Sequence, residues 1–322
     1  MARLHDRFPD ADLPHIDLGV SPTPVRRVDL DGADVWVKDE GRFGSGGWGG
    51  NKVRKLEWIL PEARRRGADT LFTVGGIGTH WGLAAALYGR EIGLRTVLGL
   101  VDQPIDDHVK DQQRALHASG AEIHRFGSVG RLKLAAPWLI ARMALRSRGL
   151  PYYLPAGGSS PVGTLGYVEV ALELAEQVAA GQLPEPGTVV VPLGSGGTTA
   201  GLVLGLRLAG LRSRVLGIVV NDSFRLDAVT VVRLANGTAD LLRARGAAVG
   251  AVVTPHDLDI DDRWLGETYG APTPEGTAAL AWAEPLGVDL EPVYTAKTLA
   301  AVQARANDLA GPVLFLATHG PR

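Results

Sequence analysis

The fold is decided by the stretch Thr188-Val189-Val190-Val191-Pro192-Leu193-Gly194-Ser195-Gly196-Gly197-Thr198-Thr199-Ala200-Gly201, which continues as Leu-Val-Leu-Gly-Leu-Arg-Leu-Ala to residue 209. Its β-branched run predicts a strand over 188–191, and its later apolar run predicts a helix over 199–209. A glycine-rich turn joins the two. A strand, a glycine turn and a helix in this order are typical of α/β proteins with parallel sheets.

The same alternation of short β-branched runs and longer amphipathic stretches occurs in two regions, roughly 68–155 and 186–316. It predicts an α/β protein with two open, twisted, mostly parallel-sheet domains. Ligands of such sheets bind outside the carboxyl ends of the strands. The expected site therefore lies where glycines follow strand-like runs, at Gly75-Gly76, Gly157-Gly158 and Gly194–Gly197.

Composition excludes several classes of function. The chain has 322 residues, 45% of them apolar, and a net charge of −2, so neither nucleic acid nor a membrane surface is an expected partner. The polar start, Met1 to Asp17, lacks the apolar run of a signal peptide, and a cytoplasmic protein is expected. With no cysteine and no His/Asp/Glu cluster at metal-ligand spacing, no catalytic metal is expected.

The turn at Gly194–Gly201 has the composition of a phosphate-binding loop. Glycines let backbone N–H groups point at an anion, and the N-terminus of the following helix adds partial positive charge. Ser195, Thr198 and Thr199 add hydroxyl donors. The alternative is a tight strand-to-helix turn closed by helix caps.

Two familiar phosphate motifs do not match. The dinucleotide fingerprint requires Gly or Ala where this chain has Thr199, so an NAD site has little support even though Asn221-Asp222 follows the next strand. The Walker loop requires Gly-Lys-Ser/Thr, whereas Asn51 and Val53 flank Lys52.

Lys52 stands at an unusual place for a cation. The segment Gly41–Gly50 contains six glycines and leads directly into Asn51-Lys52, at the start of a helix predicted over 52–66. Cations are disfavoured at a helix N-terminus. One interpretation is an amine whose pKa is lowered by the helix end and by burial, ready to form an imine. The other is a surface lysine in a basic patch with Arg54 and Lys55.

Together the segments resemble the pyridoxal-phosphate (PLP) enzymes of the tryptophan-synthase β-subunit fold, also called fold type II. Within them the chain is most similar to the branch of D-cysteine desulfhydrase and 1-aminocyclopropane-1-carboxylate (ACC) deaminase. The segments that carry the resemblance, in chain order, are Pro22-Thr23-Pro24, Lys38-Asp39-Glu40, Gly49 to Lys55, Gly67-Ala68-Asp69-Thr70, Gly75-Gly76-Ile77, Pro155 to Gly158, Gly163-Thr164-Leu165-Gly166-Tyr167, Gly194 to Gly201, Tyr269-Gly270-Ala271-Pro272-Thr273 and Pro292-Val293-Tyr294-Thr295.

The resemblance implies roles for individual residues. Lys52 would carry PLP as a Schiff base and shuttle the α-proton, and Tyr294 would lie in the active site. The other implied cofactor contacts are Asn51, Gly194, Ser195, Gly196, Gly197, Thr198 and Thr318, the last on the pyridine nitrogen. Further substrate contacts are implied at Gly158 and Tyr269. The resemblance also implies a homodimer, with a large PLP-binding domain formed by 1–54 and 161–322 and a small α/β domain over 55–160.

The partner of the pyridine nitrogen bears on the reaction. A carboxylate there stabilises a protonated pyridinium, a strong electron sink, whereas a hydroxyl does not. ACC deaminases carry a glutamate directly after the active-site tyrosine, where this chain has Thr295. Together with Thr318, this favours elimination or replacement at Cβ over ring opening. Thr295 is also a candidate N-cap for a helix from Ala296.

The loop after Gly75-Gly76-Ile77 departs from the family. Relatives continue with Gln-Ser-Asn, whereas this chain continues with Gly78-Thr79-His80-Trp81-Gly82. Thr79 keeps the hydroxyl, and His80 can donate to the cofactor's phenolic oxygen or act as an acid or base. The pair His80-Trp81 indicates either a reshaped substrate site or simple packing of the loop.

The leading prediction is a PLP-dependent lyase that acts on a small amino acid with a leaving group at Cβ, similar to D-cysteine desulfhydrase. The alternatives are a divergent β-replacement or ACC-deaminase-like enzyme and, from another class, a non-catalytic PLP- or phosphate-binding protein.

Overall fold

A computed structural model of the protein describes residues 2–30, 32–44, 49–103, 105, 107–147 and 149–320. Residues 45–48 of the glycine-rich segment before Lys52 therefore lie outside the described residues, as do Pro321 and Arg322 at the end of the chain.

The strands form two sheets. The larger has the order β1-β2-β10-β7-β8-β9, and only the β1–β2 pair is antiparallel. The smaller, entirely parallel, has the order β5-β4-β3-β6. The strands are β1 (Val25–Leu30), β2 (Ala33–Asp39), β3 (Thr70–Gly76), β4 (Arg95–Val101), β5 (Glu122–Phe126), β6 (Tyr152–Leu154), β7 (Thr188–Leu193), β8 (Arg214–Val219), β9 (Leu258–Asp261) and β10 (Val313–Ala317).

Helices cover both sheets, as expected for parallel strands that bury both faces. They are α1 (Arg3–Arg7), α2 (Asn51–Arg65), α3 (His80–Glu91), α4 (Asp107–Ala118), α5 (Val129–Arg146), α6 (Pro161–Ala179), α7 (Gly197–Ala209), α8 (Ala228–Ala244), α9 (Pro274–Ala283) and α10 (Thr295–Arg305). The predicted α/β class with two mostly parallel sheets is confirmed. The boundaries at residues 54/55 and 160/161 stay predictions.

Three strands of the structure were not predicted from the sequence. β1, β6 and β9 each lie at an edge of a sheet. Edge strands are short and carry charged or half-exposed side chains, so they lack a continuous apolar run. β6 also lies within the segment 151–161, whose composition predicts a linker.

Pro61 neither breaks α2 nor ends it. A proline has no N–H to donate to the carbonyl four residues earlier, which here belongs to Glu57. The N–H of Ile16 donates to that carbonyl instead, at 3.0 Å. The N-terminal segment thus satisfies the acceptor that the proline leaves open.

The core is divided between the sheets. One group of buried side chains lies between the larger sheet and helices α6, α7 and α8, and another packs α2 and α3 on the smaller sheet. Among the described residues, the longest apolar helices fall short of what is needed to cross a lipid bilayer.

Candidate active site

The first turn of α2 places Lys52 next to the end of the central strand β10. The N–H of Asn51 donates to the carbonyl of Thr318 at 3.2 Å. Gly50 has a φ of 87°, and a Cβ there would lie 2.8 Å from the same carbonyl oxygen. Only glycine permits this close approach. The glycine that precedes Asn51 is therefore needed to bring the lysine helix against the last strand.

Lys52 has the electrostatics of a nucleophilic amine. Its burial lowers the pKa of its amine to about 8, although the negative charge of Glu291 acts in the opposite direction. Its Nζ lies 5.7 Å from the centre of the Tyr294 ring. A substantial neutral fraction near physiological pH is what imine formation requires.

Arg54 and Lys55 do not form a surface patch with Lys52. Both are buried, each with 1% of its surface exposed, so the interpretation of Lys52 as one of a group of surface cations is wrong. Lys55 instead directs its Nζ to the carbonyl of Gly157 at 2.9 Å. Burial, with a smaller contribution from Lys52, lowers the pKa of Lys55 well below its usual value.

The loop Gly194–Gly196 between β7 and α7 leads into a cradle at Gly197, where the backbone leaves no room for a side chain. Gly196 has a φ of 89°. A Cβ on Gly197 would lie 2.7 Å from the Ser159 Oγ and 3.2 Å from the Lys55 Nζ. Backbone N–H groups, hydroxyls and the amine of Lys55 therefore converge at the N-terminus of α7, the combination that binds phosphate. Thr199 lies outside this cradle, fully buried near Gly217 of β8.

Tyr294 lies beside both Lys52 and the cradle. A Cβ on Gly194 would lie 2.8 Å from its ring. Its hydroxyl is 2.6 Å from the hydroxyl of Tyr269, and burial is the main cause that raises the pKa of both tyrosines. Asp222 fixes the Tyr269 segment by accepting from its N–H at 3.2 Å. The sequence-predicted residues Lys52, Gly194, Tyr269 and Tyr294 thus meet in one place.

Glu291 was not foreseen from the sequence. Its carboxylate accepts from the N–H groups of Val293, Tyr294 and Thr295 at 2.8–2.9 Å. It therefore caps α10, and the prediction that Thr295 is the N-cap is wrong. Thr295 lies within the helix, where its hydroxyl contacts Glu291 at 3.1 Å. The available signal for this cap was an acidic residue three positions before Tyr294. The proline at 292 separates it from the helix pattern, so it was overlooked.

The loop that departs from the family begins helix α3. The Thr79 hydroxyl accepts from the N–H of Gly82 at 3.1 Å as the N-cap. Trp81 is only 3% exposed and donates its indole N–H to the Thr73 hydroxyl at 3.0 Å. Its ring packs under Gly158, where a Cβ would lie 2.7 Å from it. This placement favours packing over direct substrate contact for Trp81.

Two histidines approach each other from different parts of the chain. His80 is the first residue of α3, and His319 follows β10. Their ring centres are 5.8 Å apart. The sequence singled out His80 without indicating that its ring meets that of His319.

Below the start of α2 lies a buried group of four charged residues: Lys38, Glu40, Arg54 and Glu173. The Lys38 Nζ lies 2.6 Å from Glu173, and Arg54 contacts Glu40 at 3.1 Å and Glu173 at 2.9 Å. Two cations and two carboxylates balance, as buried charges require. Because these residues tie β2 and α6 to α2, the group fixes the helix that carries Lys52.

His15 lies between two acidic residues, and the sequence did not indicate that these three residues meet. Its ring nitrogens are each 3.7 Å from a carboxylate, of Asp17 and of Glu57. These three residues have the ligand types and the mutual distances of a cation site. Glu57 also accepts from the N–H of Leu18 at 2.9 Å, so the group ties the N-terminal segment to α2. The absence of a catalytic metal stays a prediction.

The donor set suits a cofactor that carries both an aldehyde and a phosphate. Lys52 offers an amine with a lowered pKa, which is the group that condenses with an aldehyde. The cradle is lined by the Gly197 N–H and the desolvated Lys55 amine. A phosphate dianion bound there would accept hydrogen bonds from both and would stabilise the charged form of Lys55. Lys55 is the residue of this set that sequence reasoning missed. Its position three residues after Lys52, on the same helix face, was the available signal.

Comparisons with known proteins agree with this geometry. The family model "Pyridoxal-phosphate dependent enzyme" matches residues 16–319. The D-cysteine desulfhydrase of Klebsiella pneumoniae (strain 342) is 32% identical in an alignment 322 residues long. The alignment covers 95% of this chain and 94% of that protein. That of Salmonella choleraesuis (strain SC-B67) is 32% identical over 323 residues, with the same coverage.

Solved structures show the same relationship. The crystal structure of an ACC deaminase homologue has a TM-score of 0.82 at 29% identity, covering 99% of this chain and 94% of that one. A threonine deaminase from Solanum lycopersicum, at 14% identity and a TM-score of 0.62 over 99% of this chain and 89% of that one, shares the fold. The chain is therefore an enzyme that uses pyridoxal phosphate, and it belongs to the pyridoxal-phosphate-dependent family of fold type II, in the branch of D-cysteine desulfhydrase and ACC deaminase.

Proposed function

We propose that the protein is a lyase that eliminates a leaving group from Cβ of a small amino acid, as the relatives named D-cysteine desulfhydrase do with D-cysteine. The observation that carries this proposal is that the Glu291 carboxylate, near Tyr294, is already occupied by hydrogen bonds from the start of α10. Glu291 caps α10, and Thr295, which follows the tyrosine, is bound to Glu291. The described carboxylate nearest to Tyr294 in the sequence is thus engaged by backbone N–H groups.

The cofactor, when bound, withdraws electrons from the α-carbon of the substrate. In our proposal Gly194–Thr198 and Lys55 would hold its phosphate, Lys52 would hold its aldehyde carbon, and Asn51 would lie beside it. The Thr318 hydroxyl, buried just after β10, would face the pyridine nitrogen. A hydroxyl there leaves a weaker electron sink than a carboxylate, which suits a reaction in which a leaving group accepts the electrons.

Two groups of this chain are suited to move protons. The neutral amine of Lys52 takes the α-proton of the substrate, as its lowered pKa permits. The bond from Cβ to the leaving group breaks with its electron pair on that group. Tyr294 and Tyr269 stay protonated because of their raised pKa values, and we assign to this pair the proton that neutralises the leaving group. The proton that Lys52 took from the α-carbon then restores the tyrosine hydroxyl. Addition of water then gives a 2-oxo acid and ammonia.

We assign substrate recognition to the start of α3. Backbone N–H groups at a helix N-terminus bind carboxylates, and Thr79 and His80 stand there. His80, 5.8 Å from His319, takes a position where relatives carry asparagine. This pair of rings favours a substrate that differs from D-cysteine, and β-replacement is the second candidate function.

The test is to incubate the holoenzyme with D-cysteine, L-cysteine, β-chloroalanine and ACC and to follow the release of 2-oxo acid. We expect release from the substrates with a β-leaving group. Release from ACC alone would show that the argument from Thr295 and Thr318 is wrong. Formation of a new amino acid after addition of a thiol would identify β-replacement, and no turnover at all would favour a binding protein.

The role of Lys52 is tested by the visible spectrum. We expect the holoenzyme to absorb near roughly 410–430 nm because the cofactor is joined to an amine. A Lys52→Ala variant should lose this band while it keeps the fold. Retention of the band in that variant would refute the assignment of Lys52.

We also propose a cytoplasmic homodimer. Helix α5 exposes large apolar side chains, Leu134 at 84%, Trp138 at 59% and Leu145 at 90%, and exposed apolar patches are typical of association surfaces. Light scattering of the purified holoenzyme should give twice the mass of the chain, and cell fractionation should recover it with cytoplasmic enzymes. A monomer mass would contradict the first part, and recovery outside the cytoplasm the second.

A further inference from the structure

A turn that connects the smaller sheet to helix α6 enters the phosphate cradle. This turn, residues 155–160, contains Ser159, whose hydroxyl donates to the Ser195 hydroxyl at 2.9 Å. The same oxygen accepts from the N–H of Gly197 at 3.0 Å. Gly197 is the first residue of α7, so its N–H is one of those that a helix leaves for an anion. Ser159 is therefore in direct contact with the atoms that line the cradle.

Lys55 fixes the same turn from the other side. Its Nζ donates to the carbonyl of Gly157 at 2.9 Å. The position of a Cβ on Gly197 would be 2.7 Å from the Ser159 Oγ and 3.2 Å from this Nζ. A hydroxyl from the turn and an amine from α2 thus converge on the backbone of Gly197.

We propose that Ser159 is a ligand of the cofactor's phosphate, and that the phosphate thereby holds the turn 155–160. A serine hydroxyl has one hydrogen, which rotates about the Cβ–Oγ bond, and two lone pairs. It can turn this hydrogen from Ser195 to a phosphate oxygen while Gly197 remains close. O–H bonds to an ionised acceptor are stronger than the bond between two neutral hydroxyls, so the phosphate is the preferred partner.

This contact links the cofactor to the start of α3, to which we assign substrate recognition. Gly158, which precedes Ser159, has a φ of 69° and packs on the Trp81 ring. Trp81 is the neighbour of His80 on α3. Because the turn contacts both the cradle and Trp81, a phosphate bound to Ser159 also fixes the segment on which Thr79 and His80 stand.

The inference rests on the proposed position of the phosphate at Gly194–Thr198 and is independent of the substrate. Its test compares holoenzyme reconstituted with PLP and with pyridoxal, which lacks the phosphate. We would measure the rate of cofactor release by the loss of visible absorbance in the presence of a reagent that traps the released aldehyde. We would also record the ³¹P resonance of the PLP form.

For Ser159→Ala we expect PLP release to be roughly tenfold faster or more, which corresponds to the loss of one charge-assisted hydrogen bond. Release of pyridoxal should change less than about twofold, because no phosphate contact exists to be lost. The ³¹P resonance should shift in the variant. Ser160→Ala is the matched control, since the adjacent Ser160 hydroxyl accepts from the Gly163 N–H at 3.2 Å as the N-cap of α6. It should leave PLP release and the ³¹P resonance unchanged.

Two results would overturn the inference. Unchanged PLP release in Ser159→Ala, with Lys55→Met releasing PLP faster, would show that the cradle holds the phosphate without Ser159. Equal acceleration for PLP and pyridoxal would show that Ser159 only supports the turn. If neither Ser159→Ala nor Lys55→Met affects PLP release, the proposed phosphate position is itself wrong, a failure distinct from that of Ser159 alone.

Discussion

At the scale of single residues, the chemistry depends on how far burial lowers the pKa of one amine. The pKa of Lys52 is about 8 because desolvation disfavours its charged form. Only the neutral amine attacks an aldehyde. The rate at which apoenzyme combines with PLP should therefore rise roughly tenfold per pH unit below about pH 7.5 and level off above about pH 8.5.

Stopped-flow absorbance between about pH 6 and about pH 10 measures this profile. The Lys52→Ala variant is the control and should show no covalent phase at any pH. A rate that continues to rise toward about pH 10.5, the ordinary range of a lysine, would show that the amine is not desolvated.

Gly197 illustrates a residue whose missing side chain matters. A Cβ there would come within 2.7 Å of the Ser159 Oγ, closer than atoms can pack. We expect Gly197→Ala to displace the turn 155–160, to accelerate cofactor release at least tenfold, and to cost roughly 1–3 kcal/mol of folding free energy.

Gly210→Ala, at the other end of the same helix, is the matched control. Gly210 has a φ of 76° and no neighbour within 4 Å of a Cβ. It should cost about 1 kcal/mol of stability through backbone strain and leave cofactor release unchanged. Similar cofactor release from both variants would contradict the steric argument.

At this scale the sequence predicted residues that stand in recognisable local patterns. Lys52 follows a glycine-rich segment, and Gly194–Gly197 follow a strand. Ser159 stands in no such pattern, and for Lys55 the local signal is only its spacing of three residues from Lys52. The place of both in the site depends on the packing of α2 and the turn 155–160 against α7. Contacts between distant segments leave little local trace in a single sequence.

At the scale of secondary-structure elements, α10 depends on a side chain from outside the helix. Glu291 accepts three backbone N–H groups at the helix start. Glu291→Gln keeps the shape but removes the charge, which should cost about 1–2 kcal/mol of stability. Since the carboxylate raises the pKa of Lys52, the variant should also move the midpoint of the PLP-binding pH profile below about 8.

Urea denaturation and the stopped-flow pH profile measure the two effects. Ser128→Ala, which removes the N-cap of α5, is the control. It should lower stability by about 1 kcal/mol and leave the midpoint unchanged. A midpoint that does not move, or moves upward, in Glu291→Gln would contradict the proposed interaction of Glu291 with Lys52.

The positions of helices and strands predicted from the sequence agree closely with the structure where the buried apolar pattern is continuous. The helix predicted over 52–66 is observed at Asn51–Arg65, and the one over 199–209 begins two residues earlier, at Gly197. Helix starts were the least accurate because caps such as Glu291 act from outside the periodic pattern. The edge strands β1, β6 and β9 were missed because hydrogen bonding to a neighbour, rather than an apolar run, defines them.

At the scale of the whole molecule, the buried charges join parts of the chain that are far apart in sequence. Burial alone would raise the pKa of Glu173, but Arg54 and Lys38 outweigh it and lower the value to about 2. Removing one partner leaves a buried charge unpaired, so we expect Glu173→Gln to cost about 3–5 kcal/mol near neutral pH.

The pH dependence has a definite sign. A carboxylate with a depressed pKa stabilises the fold above its unfolded pKa, and this stabilisation is lost as pH falls toward the folded value. The stability difference between wild type and Glu173→Gln should therefore shrink between about pH 4.5 and about pH 2. Urea titrations at several pH values measure it, with Glu176→Gln, whose side chain is 60% exposed, as a control expected to cost less than about 1 kcal/mol. A constant difference across this range would contradict the assignment.

The class of fold was predictable because it depends on the alternation of strands and helices along the whole chain. The way in which the two sheets meet was not, because it depends on individual contacts such as Ser159 against Gly197 and Arg54 against Glu173.

The central position of β10 has a consequence for the synthesis of the protein. This strand lies between β2 and β7, yet it is translated long after both. Until Val313–Ala317 leave the ribosome, β2 and β7 expose edges that another chain could pair with. We therefore expect the nascent chain to need protection of these edges during translation, and Lys52 to reach its final surroundings only after Thr318, whose carbonyl accepts from the N–H of Asn51, has emerged.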